Sequence, residues 1–410
     1  MRSNTQIQLA QHAWTRYVAG RISRRQLVGA LGALGLTAAA PLALRDTDAR
    51  SAPGGGEHHH MSGMQEGTPA GAPPPAPTPV LGKQPDGTTV WKVIAGGGSE
   101  EEGIDLLAYF PTNVTVNVGD AIYWEVRGFH NVHFLSGAPL PEGIIPDPTA
   151  TPMAGGAPAL ILNPAVAFPS GGSDYNGTGM LNTGVPLDPS APPSVITFSA
   201  PGTFDYYCTI HGKTMKGTVT VQDSGAAYPM DQAAVDATGN EELTALLATA
   251  KSLYEQGDTA TPSAAGATEH QVIAGLSAPQ MEVNRFFPQQ LTIKAGDTVK
   301  FVNESVDPPV PHTVTFAGGT EAPGFVLPVP QAGGPPTLTI NPQLVAPTMP
   351  GGAAYNGQGF ANSGILGGAP NAPLEISLAF DTEGTYRYYC AVHGDPEGGM
   401  IGDITVEAAS

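Results

Sequence analysis

Short runs of alternating apolar and polar residues recur along the chain. Val114-Thr115-Val116-Asn117-Val118, Ala121-Ile122-Tyr123-Trp124-Glu125-Val126 and Gly217-Thr218-Val219-Thr220-Val221 carry a period of two. Successive strand side chains point to opposite faces, so each run predicts a half-buried strand. The second half offers Leu291-Thr292-Ile293, Thr298-Val299-Lys300-Phe301-Val302 and Ile401-Gly402-Asp403-Ile404-Thr405-Val406. Gly119-Asp120 stands between the first two runs and reads as a hairpin turn. One stretch departs from this period: Glu241 to Gln256 has helical spacing and composition.

The runs belong to a duplicated pattern. Phe110-Pro111 returns as Phe287-Pro288, and Val118-Gly119-Asp120-Ala121 as Ala295-Gly296-Asp297-Thr298. Gly202-Thr203-Phe204-Asp205-Tyr206-Tyr207-Cys208-Thr209-Ile210-His211 returns as Gly384-Thr385-Tyr386-Arg387-Tyr388-Tyr389-Cys390-Ala391-Val392-His393. A Pro/Gly-rich insertion is repeated as well: the segment from Tyr175-Asn176 to Asn182-Thr183-Gly184 matches that from Tyr355-Asn356 to Asn362-Ser363-Gly364. Self-similarity on this scale predicts two copies of one small antiparallel sandwich. Residues 88–224 form the first, 268–410 the second, and 225–267 a partly helical connector. The insertions are expected to cover one end of each sandwich or to form a docking surface, and the Asn-Gly pairs within them are explained by turn chemistry.

Composition narrows the partners. Only 13% of the 410 residues are charged, against 53 Gly and 41 Pro, which fits strands and turns better than long solvated helices. Residues 1–50 hold seven basic residues and only Asp46 and Asp48 among the acids, leaving 10 basic against 34 acidic residues, a net −24. Such a chain repels nucleic acid and anionic lipid, while basic soluble proteins are drawn to it by salt-sensitive steering.

The front of the chain reads as an address. Ser23-Arg24-Arg25-Gln26-Leu27-Val28 opens a Gly/Ala-rich apolar run to Leu44, with small residues at Ala38, Ala39 and Ala40. This resembles a twin-arginine export signal and implies a periplasmic, extracellular or surface-tethered protein, the alternative being an uncleaved anchor. Residues 51–87 are Pro-, Gly- and Ala-rich and read as a disordered linker. His58, His59, His60, Met61 and Met64 within it form an accessory copper-binding candidate, set against a solvated linker with incidental histidines.

His130 precedes Cys208, His211 and Met215, and His312 precedes Cys390, His393 and Met400 in the same order. Two imidazoles, a thiolate and a thioether are the donors that suit a mononuclear blue copper centre, whereas zinc sites recruit paired Cys and His and rarely a thioether. A disulfide between Cys208 and Cys390 would require equivalent positions of two separate domains to meet. Each cysteine has its own His and Met companions.

At Phe129-His130-Asn131-Val132, at Pro311-His312-Thr313-Val314 and in the Tyr-Cys-x-x-His loops, the sequence resembles the plastocyanin/azurin family of cupredoxins. The resemblance covers both copies apart from their insertions and implies two Greek-key sandwiches in tandem, each holding one type 1 copper. It implies His130, Cys208, His211 and Met215 as one ligand set and His312, Cys390, His393 and Met400 as the other, with the methionines as weak axial ligands. Met215 follows His211 after three residues, whereas Met400 follows His393 after six. The family often has Asn after its first histidine, tying the two ligand loops together; Asn131 fits and Thr313 does not, so the two coppers need not be equivalent. Tyr207 and Tyr389 mark an electron route by the same resemblance, with ordinary sheet packing as the other reading, and alternation turns both away from the copper-side core. Alternation also turns His133 from the ligand side, and His270 reads as a surface histidine.

Two-domain members of this group include oxidases and nitrite reductases. The trinuclear cluster of a multicopper oxidase needs His-x-His pairs, which occur here only in the linker run. A nitrite reductase of the copper type has a histidine beside the copper cysteine, where this chain has Tyr207 and Thr209, or Tyr389 and Ala391. The expectation is therefore an exported two-copper electron carrier, with a basic cytochrome or a terminal oxidase among its redox partners. Copper storage and an oxidase or nitrite reductase-like enzyme are the alternatives.

Overall fold

The computed structural model describes residues 79–150, 159–187, 193–259, 268–331, 333–369 and 371–409. The signal region, most of the linker and the His58–Met64 cluster lie outside the described residues.

Two β-sandwiches account for most of it. In the first, one sheet runs Gly82–Lys83, Thr89–Ala95, Ala121–Val126, Val195–Phe198, Asp174–Tyr175, with Tyr109–Phe110 paired beside Thr89–Ala95. The facing sheet runs Leu181–Asn182, His133–Phe134, Gly202–Cys208, Gly212–Gln222, Asn113–Asn117. Alternation fills the space between them: Trp91, Val93, Trp124, Phe134, Phe198, Tyr206 and Val219 are all buried in one cluster. Each such side chain contributes about 1.5–3 kcal/mol when taken fully out of water. The second sandwich repeats this with Val272, Phe286, Phe301, Phe316, Phe380, Tyr388 and Ile404. Most pairs are antiparallel, and the chain returns of the fold lay a few strands parallel, as in Gly212–Gln222 beside Asn113–Asn117.

The Gly119-Asp120 turn is not a hairpin. The strands it joins, Asn113–Asn117 and Ala121–Val126, lie in opposite sheets. The Asp120 carboxylate accepts from the amides of Thr89 and Asn117 and from Trp91 Nε1. Those donors fix the chain as an arch over the edge of the sandwich.

The helix spans Gln232–Asp258, nine residues earlier at its start than the periodicity predicts, because Asp231 caps it by accepting from the Ala234 amide. Its apolar face, with Leu243, Leu246, Leu247 and Leu253, packs on residues of both halves, among them Ile94, Leu106 and Phe110 from one and Met281, Val283 and Phe287 from the other.

The halves also share sheets. Gly98–Ser99 and Ile104–Leu106, from the first half, extend the second half's sheet through Met281–Phe287, with Asp105 opposite Glu282. Hairpins that precede the Tyr-Asn-Gly insertions form another shared sheet, Val326–Val329, Thr337–Ile340, Leu160–Leu162, Ile144–Pro146, joined across the halves at Ile161 and Thr339. Leu162, Ala167, Val185 and Leu338 then pack over Phe129 and Ile210, the neighbours of His130 and His211. Here the hairpins that precede the Tyr-Asn-Gly segments, and not those segments themselves, cover the ligand end of the first sandwich.

Candidate metal centres

The folded chain gathers the predicted donors twice. His130 Nδ1 lies 3.0 Å from His211 Nδ1, and Cys208 Sγ lies 3.4 Å from His211 Nδ1 and 3.9 Å from His130 Nδ1. In the second half the corresponding separations are 3.2 Å between His312 and His393, 3.5 Å from Cys390 to His393 and 3.7 Å from Cys390 to His312. Bonds of about 2.0–2.3 Å from one shared ion to three donors require edges of this length. The donor set therefore fits a metal ion held by two imidazoles and a thiolate. Met215 and Met400 are fully buried in the same clusters as Cys208 and Cys390.

Local structure explains the convergence. Each cysteine is on the strand that pairs with the last strand of its sandwich, and the register of that ladder shifts at Tyr207/Cys208 in one half and between Tyr389 and Gly394 in the other. The break frees the Cys-x-x-His segment to turn inward. The first histidine of each set comes from the preceding loop, and its ring packs against a glycine with positive φ: Gly96 for His130 and Gly275 for His312. A Cβ at either glycine would collide with the imidazole Nε2.

The loops are tied differently in the two halves. Asn131 accepts from the Thr209 amide at 2.8 Å and donates to Thr209 Oγ1 at 2.8 Å and to Asn182 Oδ1 at 3.1 Å. Thr313 takes the same place with one oxygen, accepting from the Ala391 amide at 2.8 Å, and its own amide points at Cys390 Sγ from 3.4 Å. Turn chemistry accounts for Asn176 and Asn356, which accept from the amides two residues on. Asn182 and Asn362 instead are buried and bind several backbone groups around the ligand loops.

Behind the first histidines the halves diverge further. His130 Nε2 lies 3.3 Å from Asp105 Oδ1, and His312 Nε2 lies 3.1 Å from Ser305 Oγ. Burial opposes charge on His130, but the Asp105 carboxylate overrides it and raises the imidazole to about 10. Burial likewise opposes charge on Asp105, and the neighbouring His130 holds its carboxyl below the usual range. Cys208, although buried, is held well below an ordinary thiol by His211 and His130. In the second half burial and His393 push His312 well down, and burial pushes the Cys390 thiol up.

Among the described residues, one further group of metal-ligating type occurs, Asp105, His211 and Glu282, with donor atoms within 4.8 Å of one another. It shares His211 with the first site. Neither Asp105 nor Glu282 carries a sequence signal, because strand pairing between the halves brings them there. Ser305 was equally unmarked.

The remaining predicted residues fall outside the donor groups. His133 is buried with both ring nitrogens lacking a hydrogen-bond partner, and burial lowers it to about 4. His270 is largely covered and pairs with Asp297 at 2.9 Å, so it is less exposed than a surface histidine. Tyr207 lies on the face away from the core, half-buried beside an open groove with Asp205 and Lys213. Tyr389 is fully buried in a satellite cluster with Leu344 and Ala391.

No family model matches the chain. It is 30% identical over 149 residues to a plastocyanin of Prochlorothrix hollandica, spanning 36% of this chain and 79% of that protein. It is 32% identical over 123 residues to a plastocyanin of Scenedesmus fuscus, spanning 30% and 86%. Similar solved structures include a Cu(I) amicyanin mutant at 22% identity and TM-score 0.19, covering 36% of this chain and 92% of that one. Another is the oxidised plastocyanin of Dryopteris crassirhizoma at 21% and 0.20, covering 33% and 99%.

Proposed function

This chain belongs to the plastocyanin-like cupredoxin family, and we propose that it carries single electrons between redox proteins through one type 1 copper in each sandwich. The observation that carries this reading is the pair of buried Nδ1, Nδ1, Sγ triangles with edges of 3.0–3.9 Å.

Copper bound among such donors supplies a one-electron couple, since thiolate suits the cuprous ion and imidazole both oxidation states. The chain's part is to hold His130, Cys208 and His211, or His312, Cys390 and His393, in one geometry for both states. Asn131 and Thr313 do this by bridging the loops, and the buried Met215 and Met400 would offer weak thioether donors from the same clusters as the cysteines. The sheet shared between the halves and its cluster pack against Phe129 and Ile210 and shield the first site in part. Tyr207, half-buried beside the open groove, would offer the first centre a route to a partner, whereas Tyr389 is covered by Leu344 and Ala391 and would serve the second only from beneath that cluster.

The net −24 beyond residue 50 favours a basic partner such as a cytochrome, and a terminal oxidase is the other acceptor proposed. The Arg24-Arg25 signal supports export by the twin-arginine route. Among the described residues no helix is long and apolar enough to cross a membrane.

Copper content and the visible spectrum of the oxidised protein test this. Two coppers per chain with intense visible absorption are expected. Three or more would turn the reading to an oxidase or reductase, and bound but colourless copper to storage.

A further inference from the structure

The two ligand triangles are alike in donors but not in the charge behind them. Asp105 Oδ1 stands 3.3 Å from His130 Nε2, on the side of the ring opposite Cys208, whereas His312 has the neutral Ser305 hydroxyl there. Asp105 does not reach His130 through its own sandwich. It sits on Ile104–Leu106, which pairs with Met281–Phe287 of the second half, placing Asp105 opposite Glu282. The next strand of that sheet, Glu269–Ala278, carries Gly275, against which His312 packs. The outer edges of both first histidines therefore lie against one shared ribbon.

A carboxylate hydrogen-bonded to a metal-bound imidazole makes the imidazole a stronger donor and adds negative charge beside the ion. Both effects favour the more highly charged oxidation state. From this geometry, and resting on the electron-carrier reading above, we infer that Asp105 makes the centres unequal: the first gives up its electron more readily, and the shared electron of a half-reduced chain resides on the second. The exchange is one electron. The first centre goes from cuprous to cupric and the second from cupric to cuprous, with no bond broken and no proton moved. Asp105 is a positioning residue in this scheme, since it touches His130 and not the ion.

Asp395, two residues beyond His393, is held within its own hairpin. Its Oδ1 accepts from the Glu397 amide within its own hairpin, and its charge acts on the Tyr389 hydroxyl.

The test is a redox titration of two full-length single-centre proteins, Cys390→Ser retaining the first centre and Cys208→Ser the second, each followed by its visible band and by the cupric electron-spin signal. The first centre is expected at the lower potential. Asp105→Asn, which keeps an acceptor oxygen and removes the charge, is then introduced into both. It should move the electron-exchange constant about tenfold toward the first centre, equivalent to about 59 mV for one electron, mostly through the first centre and with copper content unchanged. Asp105→Ser, giving the first centre the hydroxyl that the second has, should move it in the same direction, and Asp395→Asn should leave the difference in place. Equal potentials, the reverse order, or an equal response of both centres to Asp105→Asn would overturn the inference while leaving an electron carrier. Colourless protein would overturn both readings.

Discussion

In the first half the ligand loops are joined by two contacts of one Asn131 side chain, which also donates to Asn182, and a carboxylate stands behind His130; in the second a single Thr313 hydroxyl does the joining, and a serine stands behind His312. The donors are the same. What differs is the polar shell: a carboxylate and an amide side chain in one half, two hydroxyls in the other. A duplicated ligand set therefore does not imply a duplicated environment. Charge placed 3.3 Å from a buried ring outweighs the burial that both rings share.

The sharpest way to break the comparison is to remove one centre at a time. Cys208→Ser and Cys390→Ser should each abolish one visible centre and one of two coppers, measured by metal content and absorption. Loss of both from one substitution would mean a shared site.

A second contrast lies one residue pair away. His133 and Thr315 occupy matching places, opposite Tyr207 and Tyr389. Thr315 is hydrogen-bonded to Asn362, whereas His133 is buried without a partner and is lowered from 6.5 to about 4. The folded state disfavours its protonated form, so stability is full above about pH 6.5 and falls as pH drops toward 4, levelling below. The loss should approach about 3 kcal/mol. Denaturant titrations across this range should show the fall in the native chain and a flatter profile in His133→Phe.

Next in size are the loop ties. Asn131→Ala leaves the Thr209 amide without its partner and should cost about 2–3 kcal/mol, against about 1–2 kcal/mol for Thr313→Ala, which leaves the Ala391 amide in the same state. Chemical denaturation measures both, and equal costs would erase the distinction. The smallest effect is expected from Met400→Leu, a volume-conserving change to a thioether that makes at most a long, weak bond. A modest shift of the second visible band is predicted, and an unchanged band would remove Met400 from the ligand set.

Much of this molecule was legible along the chain. Strands such as Ala121–Val126 follow from a period of two, and the Cys-x-x-His spacing was legible because its cysteine and histidine stand three residues apart, while Met215 and Met400 lie in the strands that follow. The Gly119-Asp120 turn was misread as a hairpin because turn residues report a change of direction, not which sheet the chain enters next. Turn chemistry covered only the Asn-Gly pairs and gave Asn182 and Asn362 no role, while their burial and their bonds to surrounding backbone make them struts.

Sequence by itself determined two sandwiches and two groups of metal-ligating type, because periodicity and local spacing are properties of neighbouring residues. Tertiary structure alone decided that strand Ile104–Leu106 crosses to the second half's sheet, that the insertion hairpins of both halves share a sheet, and that Asp105 faces His130 while Ser305 faces His312. These depend on pairing between segments far apart in the chain. The charge behind a ligand is set by which backbone groups find partners there, and no local pattern encodes that.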